Sequence, residues 1–101
     1  MKTYRISKGA ARDLDGIFVY WAERTSVDIA DKLIDSITDR FWVLAENPEA
    51  GRAAPEAAPE VRCFPAGRYL IYYRKTRGGI EILYVLHSAR NRRKALRQRL
   101  R

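Results

Sequence analysis

His87 is the single histidine of the chain, and Arg62, Arg68 and Arg74 precede it in the same half of the sequence. An imidazole can move protons near neutral pH, and guanidinium groups can hold a phosphate. RNA cleavage would need those abilities together: an acceptor for the 2′-hydroxyl proton, a donor to the leaving oxygen, and cations around the pentavalent phosphorus. On that reading the catalytic set is His87 with Arg62 and Arg74, and a second proton-transfer group is not evident. The plainer reading is an imidazole that closes a strand and is satisfied within the fold. Cys63, the lone cysteine, excludes an internal disulfide and a cysteine-built zinc site, and beside Phe64 it reads as a small core residue. No Gly-rich phosphate loop, HExxH, GxSxG or clustered carboxylate pair occurs, and no metal or cofactor is expected.

The elements that position these groups come from a chain of 101 residues, enough for a single domain spanning 1–101. A hydrophobic fraction of 47% with 32% charged residues predicts a folded protein. No apolar run is long enough to span a bilayer, and the opening MKTYRIS lacks an apolar leader core, so a cytoplasmic protein is expected. Charge is divided unevenly. Residues 1–60 hold 8 Lys/Arg and 11 Asp/Glu, a net of −3; residues 61–101 hold 12 Lys/Arg against Glu81 alone, a net of +11. Such a half attracts acidic partners.

KTYRI at 2–6 alternates as a strand does. Ser7 is placed to cap a helix from Lys8 to Glu23, with Ala10, Leu14, Ile17 and Trp21 on one stripe. Thr25-Ser26 breaks the chain and caps a second helix ending at Glu46, before Asn47-Pro48. Its stripe is Ala30, Leu33, Ile34, Ile37, Phe41 and Leu44, while Trp42 and Val43 fall off it beside Asp35 and Asp39. So short a link predicts an antiparallel helix hairpin. PEAGRAAPEAAPE at 48–60 reads as a loop or extended linker.

Val61 to Phe64 reads as a short strand and Pro65-Ala66-Gly67 as a turn. Arg68–Arg77 and Ile80–His87 then pair around Gly78-Gly79. With Arg77 opposite Ile80, Tyr73 faces Tyr84, Ile71 faces Leu86, Tyr72 faces Val85 and Leu70 faces His87. Ile71, Tyr73, Ile80, Ile82, Tyr84 and Leu86 should then face the helices. Leu70, Tyr72, Arg74, Leu83, Val85 and His87 would form a second face too apolar for water, to be covered by the C-terminal segment or by a partner. The end of the chain, Ser88–Arg101, carries seven Lys/Arg and no acid, with Leu96 and Leu100 one helical turn apart. The fold class is therefore α+β: a strand, an antiparallel helix hairpin, a three-stranded antiparallel meander and a short basic C-terminal segment.

That order resembles the RelE/ParE toxin superfamily. RDLDGIFVYWAER, LAENPEAGR, VRCFPAGRYLIYYR and IEILYVLHSARNRR resemble its ParE branch, in order, across nearly the whole chain. The resemblance implies a toxin of a type II toxin–antitoxin module held by a ParD-like antitoxin in a hetero-oligomeric complex. Operator DNA would be reached only through that antitoxin. The antitoxin would cover Leu70, Tyr72, Arg74, Leu83, Val85 and Trp42. ParE relatives imply inhibition of DNA gyrase, and RelE relatives imply ribosome-dependent cleavage of messenger RNA. RelE-type nucleases commonly carry a tyrosine, or a glutamate with a His-Tyr pair, near the C-terminus. Here no tyrosine follows Tyr84 and Ser88 follows His87, a departure that favours gyrase, with Arg90, Arg92, Arg93 and Leu96 as the target-binding surface.

Overall fold

The computed structural model describes residues 2–88. The capping residues act where their chemistry requires. The Ser7 hydroxyl accepts from Ala10 N at 3.0 Å and opens α1, Lys8–Arg24. Ser26 does the same for Ile29 N at 3.1 Å and opens α2, Val27–Glu46. Both helices end within a residue of expectation. The predicted stripes face inward: Ala10, Ile17, Ala30, Ile37, Phe41 and Leu44 are buried, with Leu14, Trp21, Leu33 and Ile34 packed at the margin. Burial of each large apolar side chain contributes about 1.5–3 kcal/mol. Trp42 and Val43 are exposed as expected, and the Trp42 ring meets Tyr4 edge-on at 4.6 Å.

The strands are β1 (Thr3–Ile6), β2 (Arg52–Ala53), β3 (Val61–Ala66), β4 (Tyr69–Thr76) and β5 (Gly79–His87). They form one mixed sheet in the order β1-β5-β4-β3-β2, with β1 parallel to β5 and the other pairs antiparallel. β3 runs two residues beyond the predicted Phe64, and Pro65 lies within it, opposite Leu70. Proline is tolerated there because β2 pairs only with Arg62 and Cys63, which leaves that part of β3 at an edge.

The register of the β4–β5 hairpin corrects the expectation. Thr76 pairs with Gly79, so the two-residue loop is Arg77-Gly78, and Tyr73 faces Ile82 rather than Tyr84. Gly79 belongs to the strand because β1 passes over it: a Cβ there would lie 1.7 Å from the Thr3 carbonyl oxygen. A second shift follows at Leu83, where the ladder moves from Tyr73–Ile82 to Tyr72–Tyr84. β1 stops at this level, and α1 takes over the free edge of β5. The Ser7 hydroxyl donates to Leu83 O at 3.1 Å, and Val85 N donates to the Asp13 carboxylate at 2.9 Å. The bulge reverses which side chains face inward. Val85 joins the helix-facing core, whereas Tyr84 and Leu86 turn to the outer face with Leu70 and Leu83.

The outer face also has a cover not foreseen. Residues 48–60 fold back as a strap, placing Ala54 and Ala57 against Val61, Cys63 and Tyr72. Two backbone hydrogen bonds close it, Ala54 N to Val61 O at 2.9 Å and Val61 N to Ala58 O at 3.1 Å. Alanines fit because the strap lies close upon the sheet. What remains partly open is a strip of Leu70, Leu83, Tyr84 and Leu86.

Candidate functional site

Strand alternation decides where each candidate points. Arg62 alternates with buried Val61 and Cys63 of the outer cluster, so it faces the helix side. Its Nε donates to Gly51 O at 2.9 Å, and its Nη2 donates to Glu49 O at 3.2 Å, next to the Glu49 carboxylate. Lys75 binds the same carboxylate. Arg62 therefore ties the root of the strap to β3.

Arg74 lies on the opposite face, across from Val61. It grips Glu81 through Nε at 2.9 Å and Nη2 at 2.8 Å, and Arg5 reaches the other carboxylate oxygen at 3.0 Å. The sole acid of the basic half is thus clamped by two guanidinium groups. The bond from Arg74 first, then that from Arg5, holds the Glu81 carboxyl below its ordinary value. The unfolded chain then binds this proton more tightly than the folded one. The resulting stabilisation is fully present above the usual glutamate range near pH 4.3 and is lost as pH falls through the lower folded-state value. We expect the urea midpoint to drop between about pH 5 and pH 3, and to drop less in Glu81→Gln. Glu49, also held low chiefly by Lys75, sustains part of the remaining slope. Identical slopes in the two proteins would refute the role given to the clamp.

His87 does not lie beside Arg74 on an outer face. The bulge returns it to the helix side, where its ring meets Tyr69 edge-on at 5.2 Å. Tyr69 in turn accepts a hydrogen bond from Trp21 Nε1 at 2.8 Å. Arg62 and His87 share a face, but their partners on β4 are Tyr73 and Tyr69, and they sit on opposite sides of that strand. That separates them by about 13 Å along the strand and about 10 Å across it. The three residues named for RNA cleavage are therefore not brought together.

The residues named for partner contact divide as well. Leu70, Leu83 and Arg74 keep partial exposure and Trp42 is exposed, but Tyr72 and Val85 are buried, Val85 on the helix side. Arg90, Arg92, Arg93 and Leu96 lie outside the described residues. Sequence reasoning missed the polar attachments of Ser7, Asp13 and Tyr73. Their partners are backbone atoms distant in sequence, so no local pattern reveals them. Among the described residues no group of three or more His, Cys, Asp or Glu side chains could hold a metal ion.

Residues 4–92 match the family described as the ParE toxin of the type II toxin-antitoxin system, parDE. The chain is 31% identical over 93 residues to Toxin ParE1 of Caulobacter vibrioides, covering 92% of this chain and 96% of that protein. It is 33% identical over 86 residues to Toxin ParE1 of Mycobacterium tuberculosis, covering 84% and 88% respectively. The fold matches a chain of a solved chromosomal ParDE toxin–antitoxin system from P. aeruginosa with a TM-score of 0.76 at 24% identity, covering 86% of this chain and 96% of that one. The β1–helix hairpin–meander order, the sheet built around it and these matches agree: the chain belongs to the ParE toxin family of type II toxin–antitoxin systems.

Proposed function

We propose that this chain acts in the cytoplasm as a toxin that inhibits DNA gyrase and is neutralised by a ParD-like antitoxin. The observation favouring gyrase over RNA cleavage is the dispersal of His87, Arg62 and Arg74: Arg74 is across the sheet and bound to Glu81, and Arg62 is bound to the strap. A phosphoryl-transfer site needs its proton-transfer group and cations around one phosphorus. Target contact is assigned instead to Arg90, Arg92, Arg93 and Leu96 in the basic end of the chain, where cations speed encounter with an acidic partner.

Purified full-length chain should block gyrase supercoiling or accumulate cleaved DNA. Replacing Arg90, Arg92 and Arg93 together by alanine should raise the concentration for half-inhibition about tenfold, as three charge contacts with the target at about 0.5 kcal/mol each would give. Unchanged supercoiling at saturating chain, together with codon-dependent cuts on translating ribosomes that vanish in His87→Ala, would replace this reading with a RelE-type nuclease.

For the antitoxin, Leu70, Leu83, Arg74 and Trp42 offer surface, and an acidic segment suits the net charge of +8. Operator DNA is reached through the antitoxin. Leu83→Asp would bury an unpaired carboxylate under the antitoxin and should weaken the copurified complex by at least about 2 kcal/mol, roughly thirtyfold. Full affinity with an intact fold would place the antitoxin on another surface.

A further inference from the structure

β1 is the outermost strand of the sheet, and only one of its sides is paired. Thr3 N donates to Gly78 O at 3.1 Å and Ser7 N to Ile82 O at 3.0 Å, so Thr3, Arg5 and Ser7 turn their backbone groups to β5. Tyr4 and Ile6 turn theirs away, and no described group bonds to them. We propose that this free edge takes an extended, basic segment of a partner polypeptide as a sixth strand.

Helix α2 supplies the wall beside the edge. Trp42 meets Tyr4 edge-on at 4.6 Å yet is still 52% exposed, so half of this residue stands open next to the free backbone groups. At about 100° per residue, Asp31, Asp35, Asp39, Trp42 and Glu46 fall within about 80° of one another, on the flank that Trp42 turns toward β1. All are exposed, and none of these carboxylates forms an ion pair with a described residue. Lys2 Nζ donates to Glu46 O at 3.4 Å, which sets Glu46 beside the start of β1 and carries Asp39 and Asp35 beyond Trp42 toward its other end.

Charge decides what fits. Two β1 strands pairing about a two-fold axis would bring α2 beside α2 on one side of the joint sheet. α2 holds five acids and two bases, a net of −3, so a second copy is repelled. A basic segment is attracted. Hydrogen bonds to the backbone of Tyr4 and Ile6 hold it, and its alternate side chains share one face. Toward α2 it presents an apolar residue to Trp42 and Tyr4, with lysine or arginine on either side to meet Glu46, Asp39 and Asp35. The residues between are uncharged, because the other side of β1 carries Arg5, already held by Glu81 at 3.0 Å. Neither gyrase nor the antitoxin enters these observations, which concern β1 and α2 alone. An antitoxin segment that reached Trp42 would have to be basic, unlike the acidic one suited to the rest of the surface.

The test titrates full-length chain with the capped peptide KTKTLTKTK, whose symmetry serves either strand direction, and follows amide exchange by NMR. At peptide ten times its dissociation constant, exchange at Tyr4 and Ile6 should slow about tenfold, while Arg5, already bonded to β5, should not change. ETETLTETE should protect neither amide at the same concentration. The variant D35K/D39K, altered only on the exposed face, should need about tenfold more KTKTLTKTK. Shifts at Trp42 without protection of Tyr4 and Ile6, or no protection at any peptide concentration, would overturn the added strand. Equal protection by the glutamate peptide, or an unchanged titration of the variant, would overturn the basic occupant. Protection already present without peptide would mean that the edge is filled, by a second copy if it grows with chain concentration, and would overturn the proposal in either case.

Discussion

Gly79→Ala should lower the stability of this toxin by about 3 kcal/mol or more, the upper part of the range for overpacking. The added Cβ would meet the Thr3 carbonyl oxygen at 1.7 Å and Thr3 N at 2.9 Å, all of it backbone that cannot rotate aside. β1 must then move off β5. Its pairing from Thr3–Gly79 to Ile6–Ile82 would be strained, as would the Tyr4 and Ile6 packing on the core. Ser7 follows directly and both caps α1 and holds Leu83 O, so the disturbance extends to the bulge. Gly16→Ala is the control. It removes a glycine from an exposed helical position where a Cβ meets nothing within 4 Å, and should stabilise by up to about 1 kcal/mol. Urea unfolding of both variants reads the contrast. A Gly79→Ala midpoint equal to wild type would mean that β1 does not approach β5 this closely.

Tyr73→Phe should cost about 1–3 kcal/mol, although only one oxygen is removed. That hydroxyl is wholly buried. It donates to Pro48 O at 2.9 Å and accepts from the buried Gly51 N at 2.8 Å, so it pins both sides of the strap's first turn. Without it the Gly51 N–H is left in the interior without its acceptor, and desolvation is not repaid. Gly51 itself has no room for compensation by a side chain, because a Cβ would stand 2.6 Å from that same oxygen and 2.8 Å from Cys63 O. A loosened strap uncovers the cluster beneath it, where Cys63 is 2% exposed and is the only thiol in the chain. Thiol labelling should therefore accelerate in Tyr73→Phe well beyond the rate change explained by global unfolding. Unchanged labelling and an unchanged urea midpoint would show that the strap is held by its alanines alone.

Much of the scaffold was legible from local chemistry. Ser7 and Ser26 cap helices because a short hydroxyl beside free N–H groups has a local advantage, and the apolar spacing of 30, 34, 37, 41 and 44 identifies the buried face of α2 whatever lies against it. The family was legible too, since its strings run in order along the chain. What those strings do not contain is the position of one strand relative to another. Gly78-Gly79 reads locally as a hairpin turn, but the close passage of β1 draws Gly79 into the sheet. Helix α1 then supplies a serine and an aspartate to the edge of β5 and stabilises a bulge.

The amino-acid order by itself determined the two helices, the α+β class, the charge division and the membership of the ParE family, because each depends on neighbours in sequence or on a pattern spread along it. The tertiary structure alone decided the faces of Tyr84, Val85, Leu86 and His87, the burial of Tyr72 under the strap, and the separation of His87 from Arg62 and Arg74. The physical reason is the two-residue period of a strand. One extra residue at Leu83 inverts every side chain after it, and the groups that favour the inversion, Ser7 and Asp13, stand more than seventy residues away.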